Sequence, residues 1–151
     1  MTVILTEKLY LLTTKMEKYL FDTNICVFHF RGKFGVSKKI NILKKSQCFI
    51  SEIVLAELTF GALNSNNPTK QMNQLNEFLR FVNVIPISEA ITDYAKIRLQ
   101  LKQIGKPVDN FDMLIAATAK HFDLTVVTDN VKHFENIQGL NIENWVDRNI
   151  I

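Results

Sequence analysis

Short β-rich runs and amphipathic helical stretches alternate along this chain from residue 19 to residue 145, and that alternation constrains the fold more than any single residue does. Strands that follow one another through helices are joined by crossovers, so they form a mainly parallel sheet flanked by helices, an α/β architecture. Tyr19-Leu20-Phe21-Asp22 reads as a buried strand that stops at a turn, and Asn24 to Arg31 as a short helix. After a basic, glycine-containing segment, Gln47 to Ser51 is the second strand, followed by a helix from about Glu52 to Ala62. Asn67 is placed to cap the next helix and Pro68 to open it, with Met72, Leu75, Phe78, Leu79 and Val82 on its apolar face. Asn83 to Ile87 is the third strand, and Ser88 is the expected cap of a helix whose apolar residues run from Ile91 to Leu101 and which Gly105 ends. Asn110 is the expected cap of a helix from Phe111 to His121. Leu124 to Thr128 is the fourth strand and Leu140 to Glu143 a short fifth.

The chain has 151 residues, 47% of them hydrophobic, which supports one core of ordinary size. Five glycines and three prolines argue against a fibrous or disordered chain. Met16 stands directly before the first convincing strand, so residues 1–15 form a candidate N-terminal extension and residues 16–151 a single domain. Glu7 and Lys8 interrupt the opening MTVILTEKLYLLTTK and no small-residue cleavage site follows, which argues against a signal peptide. No run approaches the ~18 apolar residues of a spanning helix. Cys26 and Cys48 sit in apolar surroundings without metal or redox spacing, so they read as buried free thiols of a cytoplasmic protein.

The net charge is +3, but its distribution is uneven. No acid lies between Asp22 and Glu52, whereas Arg31, Lys33, Lys38, Lys39, Lys44 and Lys45 all do. Such a stretch suits a phosphate backbone, and equally a solvated helix–loop surface balanced by acids elsewhere.

In sheets of this kind active sites form beyond the carboxyl ends of the strands, where strand order reverses. Asp22 ends strand one, Asp129 and Asn130 follow strand four, and Asp112 lies in the first turn of its helix. Glu57 lies deeper in a helix, with Ile53, Val54 and Phe60 at neighbouring helical positions, and Asp112 is followed by Ile115, Ala116 and Ala119 on one face. Carboxylates on faces that should pack inward must be paired, protonated or bound to a cation. No lysine or arginine is supplied on those faces. Like charges about 4 Å apart repel by about 4 kcal/mol at an effective dielectric of 20, so a cation is the economical partner. An oxygen-only site suits Mg²⁺ or Mn²⁺.

Each acid also has a plainer reading. Asp22 in Asp-Thr-Asn suits a helix cap, and Asp112 suits the positive end of a helix dipole. Glu57, mid-helix on an apolar face, is the hardest to explain that way. Asp109 reads as a loop residue, and Glu52, Asp93 and Asp123 as solvent-facing. His29, His121 and His133 show no metal spacing, and His121 reads as a surface residue at a helix end.

These motifs resemble the PIN-domain ribonucleases, in particular the VapC-type toxins. Leu20-Phe21-Asp22-Thr23-Asn24 is similar to the opening strand and turn of PIN domains. The segment from Ile50-Ser51 through Ala56-Glu57-Leu58 to Gly61-Ala62 resembles their second block, and Gly105 to Asp112 followed by Leu114 to Ala119 their third. Val127-Thr128-Asp129-Asn130 with Phe134, then Gly139-Leu140 and Glu143-Asn144-Trp145, resembles the closing pattern. The four blocks occur in family order across about residues 18 to 145.

The resemblance implies a PIN-like fold over 16–151 with strand order 3-2-1-4-5, metal-dependent cleavage of single-stranded RNA, a homodimer, and neutralisation by a cognate antitoxin. Carried over by position, Asp22, Glu57 and Asp112 take three acidic places and are the expected catalytic and Mg²⁺-holding residues. The fourth place falls on Asn130, with Asp129 beside it, and which of the two fills it stays open. Thr23, Asn24 and Thr128 are candidates to hold the carboxylates by hydrogen bonds. Arg31, Lys33, Lys38 and Lys39 are candidates to contact RNA. Two other readings compete. A phosphoacceptor receiver needs an acid pair after strand one, an Asp ending strand three and a Lys ending strand five, which Ile85-Pro86-Ile87 and Glu143-Asn144 do not supply. A PIN-like regulator that binds RNA or an antitoxin without cutting is the stronger alternative, because the fourth acid is altered.

Overall fold

A computed structural model describes residues 16–151; the candidate extension, residues 1–15, lies outside the described residues. Five strands form one sheet: β1 (Tyr19–Phe21), β2 (Cys48–Ser51), β3 (Asn83–Ile85), β4 (Thr125–Val127) and β5 (Ile142–Glu143). The order is β3-β2-β1-β4-β5, and each neighbouring pair is parallel. The sheet is therefore parallel throughout rather than mainly so. β3 is two residues shorter than expected because Pro86 has no N–H to give a ladder.

Seven helices accompany the sheet among the described residues. They are α1 (Thr23–Phe30), α2 (Val36–Asn41), α3 (Glu52–Leu63), α4 (Pro68–Leu79), α5 (Ile91–Gln103), α6 (Asn110–Phe122) and α7 (Val131–Phe134). α2 and α7 were not anticipated; at six and four residues they are too short to carry a helical period. Asn67 caps α4 as expected, its side chain accepting from the Lys70 N–H at 3.1 Å with Pro68 at the first position. Two caps are corrected. Ser88 opens a single 3₁₀ turn, and α5 begins at Ile91 without a side-chain cap. Asp109, not Asn110, caps α6 by accepting from the Phe111 N–H at 2.9 Å.

Buried apolar residues from sheet and helices form one cluster that includes Leu20, Phe21, Ile50, Val126 and Val127 from the strands and Val54, Leu75, Ile115 and Ala116 from the helices. Cys26 and Cys48 are buried free thiols, and burial pushes the Cys48 thiol up to about 11. α3 buries Val54, Leu58 and Ala62, a stripe of four-residue steps. Phe60, expected inward beside Glu57, is instead 69% exposed, so Glu57 stands at the margin of the packed face. Asp112 keeps the expected company, since Ile115, Ala116 and Ala119 are all buried. None of the helices among the described residues is long and apolar enough to cross a membrane.

Candidate active site

Strand order reverses between β1 and β4, and the crevice beyond their carboxyl ends collects the predicted residues. The Asp22 N–H donates to the Val127 carbonyl at 2.9 Å, tying the two strand ends together. Asp22 is 5% exposed and caps α1. Its Oδ1 accepts from the Thr23 N–H at 2.8 Å, and its Oδ2 from Thr128 Oγ1 at 2.7 Å and Asn24 Nδ2 at 3.4 Å. Asp22 is thus both the expected helix cap and a buried carboxylate at the end of β1. Thr128, fully buried, also accepts from the Asn130 N–H at 3.0 Å, which shapes the turn after β4.

Glu57 reaches the crevice from α3, its Oε2 accepting from Thr23 Oγ1 at 3.1 Å. Asp112 comes from the first turn of α6, with Oδ2 at 2.9 Å from His133 Nδ1 on α7. Thr23, Asn24 and Thr128 are thus bonded to the acids or to one another.

The electrostatics bind the three acids into one group. Burial raises the Asp22 carboxyl above its usual range, against the lowering effect of its bonds from Thr128 and Thr23. Glu57 is raised by burial and then by the charges of Asp22, Asp112 and Asp109. Asp112 is raised by burial and by Asp22, while the His133 contact lowers it. No lysine or arginine among the described residues pairs with any of the three. Among the described residues no three His, Cys, Asp or Glu side chains stand together as a formed metal site; each acid is turned toward its own donor. The donor set nevertheless fits a hard divalent cation: three part-buried carboxylates without a lysine or arginine to neutralise them, Asp112 alone having an imidazole beside it.

The fourth corner divides. Asn130 is exposed after the Thr128 turn, whereas Asp129 accepts from Arg148 at 2.6 and 3.0 Å, and Arg148 holds its carboxyl below the usual range. The sequence does not mark Arg148 and shows His133 only as a histidine without metal spacing; Asp93, expected to face solvent, is partly exposed and pairs with His121 at 2.9 Å. Glu52 is exposed as expected and also accepts from the Ile87 N–H at 3.1 Å. No local pattern signals any of these partners.

Glu57 also borders a cavity of about 260 Å³ that includes Val27, Phe30, Arg31, Ser65, Gln71 and Gln74. The end of α1, the outer half of α3 and the loop before α4 thus meet beside Glu57. Arg31, Lys33, Lys38 and Lys39 are all exposed, and none forms an ion pair with another described residue. Lys39 Nζ lies 6.0 Å from the centre of the Trp145 ring.

A parallel sheet with acids gathered at its reversal point defines the class as that of the PIN domains. The PIN domain family model matches residues 19–140, and the chain belongs to that family. Within it, the similarity is to VapC endoribonucleases, and the chain is of that type. It is 35% identical over 132 residues to the tRNA(fMet)-specific endonuclease VapC of Shigella flexneri, covering 86% of this chain and 99% of that one. Ribonuclease VapC2 of Rickettsia felis is 36% identical over 130 residues, covering 84% and 97%. Among solved structures, the DNA-bound VapBC complex of Salmonella typhimurium contains a chain that aligns with a TM-score of 0.80 at 33% identity, covering 86% of this chain and 99% of that one.

Proposed function

We propose that this protein is a Mg²⁺-dependent endoribonuclease that cuts single-stranded regions of RNA, acting in the cytoplasm as the toxin of a toxin–antitoxin pair. The observation that carries the reading is the set Asp22, Glu57 and Asp112: three acids from three elements that feel one another's charge and have no lysine or arginine partner among the described residues. Asp22 and Asp112 would hold the ion, directly or through water, and Glu57 would complete the site; Mn²⁺ suits the same donors. When bound, the ion polarises the scissile phosphate and lowers the pKa of an attacking water.

The chain's own residues do the rest. Glu57, whose carboxyl is raised and half-buried, is suited to orient that water and take its proton. Thr128 and Asn24 fix Asp22, and Thr23 fixes Glu57, so the acids do not have to find their places during the reaction. Arg31, Lys33, Lys38 and Lys39 would track the RNA backbone. Two similar proteins are named for tRNA(fMet), which makes transfer RNA the first substrate to test. The VapBC complexes among similar structures support a cognate antitoxin, whose gene is sought in the adjoining reading frame, and a homodimer is expected with it.

The test incubates the purified protein with transfer RNA and with total RNA, in Mg²⁺ or in EDTA, beside Asp22→Ala and Asp112→Ala. Discrete fragments only from the wild type with the ion are expected. Undiminished cleavage in EDTA and in both variants would overturn the proposal. The capture of Asp129 by Arg148 favours one rival, a PIN-like regulator that binds RNA or an antitoxin without cutting. Ion and RNA binding without fragments from any RNA pool would select it.

A further inference from the structure

Asp129 lies one residue past the Thr128 that holds Asp22, yet its carboxylate is engaged by the chain's last residues. Arg148 grips it with both arms, Nη2 to Oδ2 at 2.6 Å and Nη1 to Oδ1 at 3.0 Å, and Asn144 Nδ2 donates to Oδ1 at 3.2 Å. The two-armed geometry fixes orientation as well as distance. The same terminal stretch is anchored on the loop before α2. The Arg148 guanidinium lies 5.5 Å from the centre of the Phe34 ring, and the Asp147 N–H donates to the Phe34 carbonyl at 3.1 Å. Ile150 packs on Gly35, where a Cβ would meet Ile150 Cδ1 at 3.0 Å and φ is +70°.

From Asp129 the contacts continue inward. Its N–H donates to Asn24 Oδ1 at 3.1 Å. Asn24 Nδ2 in turn lies 3.4 Å from both Asp22 Oδ2 and Thr128 Oγ1, and Thr128 Oγ1 donates to Asp22 Oδ2 at 2.7 Å. An arginine in the terminal segment is thereby joined to the buried carboxylate through one backbone amide and one side-chain amide.

We propose that Arg148 is a positioning residue for the acidic site: by clamping Asp129 it seats the turn after β4 against Asn24 and so sets the orientation of Asp22 toward a divalent ion. The inference rests on the reading of Asp22 as a residue that holds the ion. Asp129 is then the anchor of the clamp and not a ligand. The two roles predict opposite signs. Were Asp129 a ligand, removing Arg148 would release a carboxylate to the ion and tighten binding; a clamp, once removed, loosens it.

Arg148 is 62% exposed, so its loss perturbs global stability little and a local effect can be separated. The experiment titrates Mn²⁺ calorimetrically into the full-length wild type, Arg148→Gln, Arg148→Lys and Asp129→Asn, with thermal unfolding of each. Arg148→Gln and Asp129→Asn are expected to weaken Mn²⁺ binding by about tenfold, in line with residues that orient metal ligands, at nearly unchanged unfolding temperature. Arg148→Lys, which keeps the charge but not the fork, should restore part of the loss. Equal or tighter binding by Arg148→Gln overturns the clamp, as does a loss that follows the unfolding temperature and that lysine does not relieve. A wild type that takes up no Mn²⁺ overturns the metal reading itself, which distinguishes the two failures.

Discussion

Thr128 Oγ1 donates to Asp22 Oδ2 at 2.7 Å across 106 positions of sequence, joining the ends of two adjacent parallel strands through one buried hydroxyl. Replacing it with valine keeps the shape and removes the donor, leaving Asp22 Oδ2 with only the 3.4 Å contact from Asn24. Thr128→Val should cost about 1–3 kcal/mol, the penalty for stranding a buried acceptor, and Thr128→Ser should recover most of it. Urea unfolding of the three proteins measures this; equal midpoints for valine and threonine would remove the bond from any stabilising role.

Glu57→Gln tests the repulsion among the acids. The folded-state carboxyl of Glu57 is raised, so the folded protein holds this proton more tightly than the unfolded chain does. The associated stability is therefore present below the unfolded pKa of about 4.3 and is lost as pH rises through the raised folded value. In EDTA at pH 7 the glutamine variant is expected to melt higher than the wild type by about 2–4 °C for each kcal/mol of charge burial and repulsion relieved. At pH 4 the difference should close. Scanning calorimetry at the two pH values decides it, and a lower melting temperature at pH 7 contradicts the charge argument.

Trp145 packs along β1. It packs edge-on against Tyr19 at 4.9 Å and Phe21 at 5.7 Å between ring centres, and its Nε1 donates to Glu143 Oε2 at 2.7 Å. Trp145→Ala should destabilise the domain by about 3 kcal/mol or more, and Trp145→Phe, which keeps a ring without the N–H, by about 1–2 kcal/mol. Denaturant unfolding followed by circular dichroism gives both values; equal losses would assign the whole effect to the indole hydrogen bond.

The basic stretch is tested by salt. Lys38 and Lys39 lie on α2, exposed and without an ion pair to another described residue. If both contact phosphates of a single strand, Lys38→Gln with Lys39→Gln should flatten the slope of log K against log salt by about 1.4 in total, about 0.7 per contact. Binding of single-stranded RNA to Asp22→Asn protein, with and without the two glutamines, provides the slopes. An unchanged slope would place the RNA elsewhere.

The sequence by itself determined the order of elements, because an apolar period of two or of 3.6 is a local property that survives whatever the chain packs against. With Gly105 and the Asn67-Pro68 pair as punctuation, it led to five strands alternating with helices, while their order in the sheet came from the resemblance to PIN domains. It also singled out Asp22, by its place at the end of the first strand, and Glu57 and Asp112, since a carboxylate on an inward face conflicts with its own neighbours within a few residues. Only the tertiary structure decided what each acid touches. His133 meets Asp112 across 21 positions and Arg148 meets Asp129 across 19, distances at which no periodicity carries information. Phe60 turned outward because the stripe that packs is Val54, Leu58 and Ala62, a choice between adjacent helical faces that depends on where β2 and α4 lie. The same limit separated Asp129 from Asn130. Both follow β4 by a residue or two, and only the approach of the terminal segment turned the first toward Arg148 and left the second exposed.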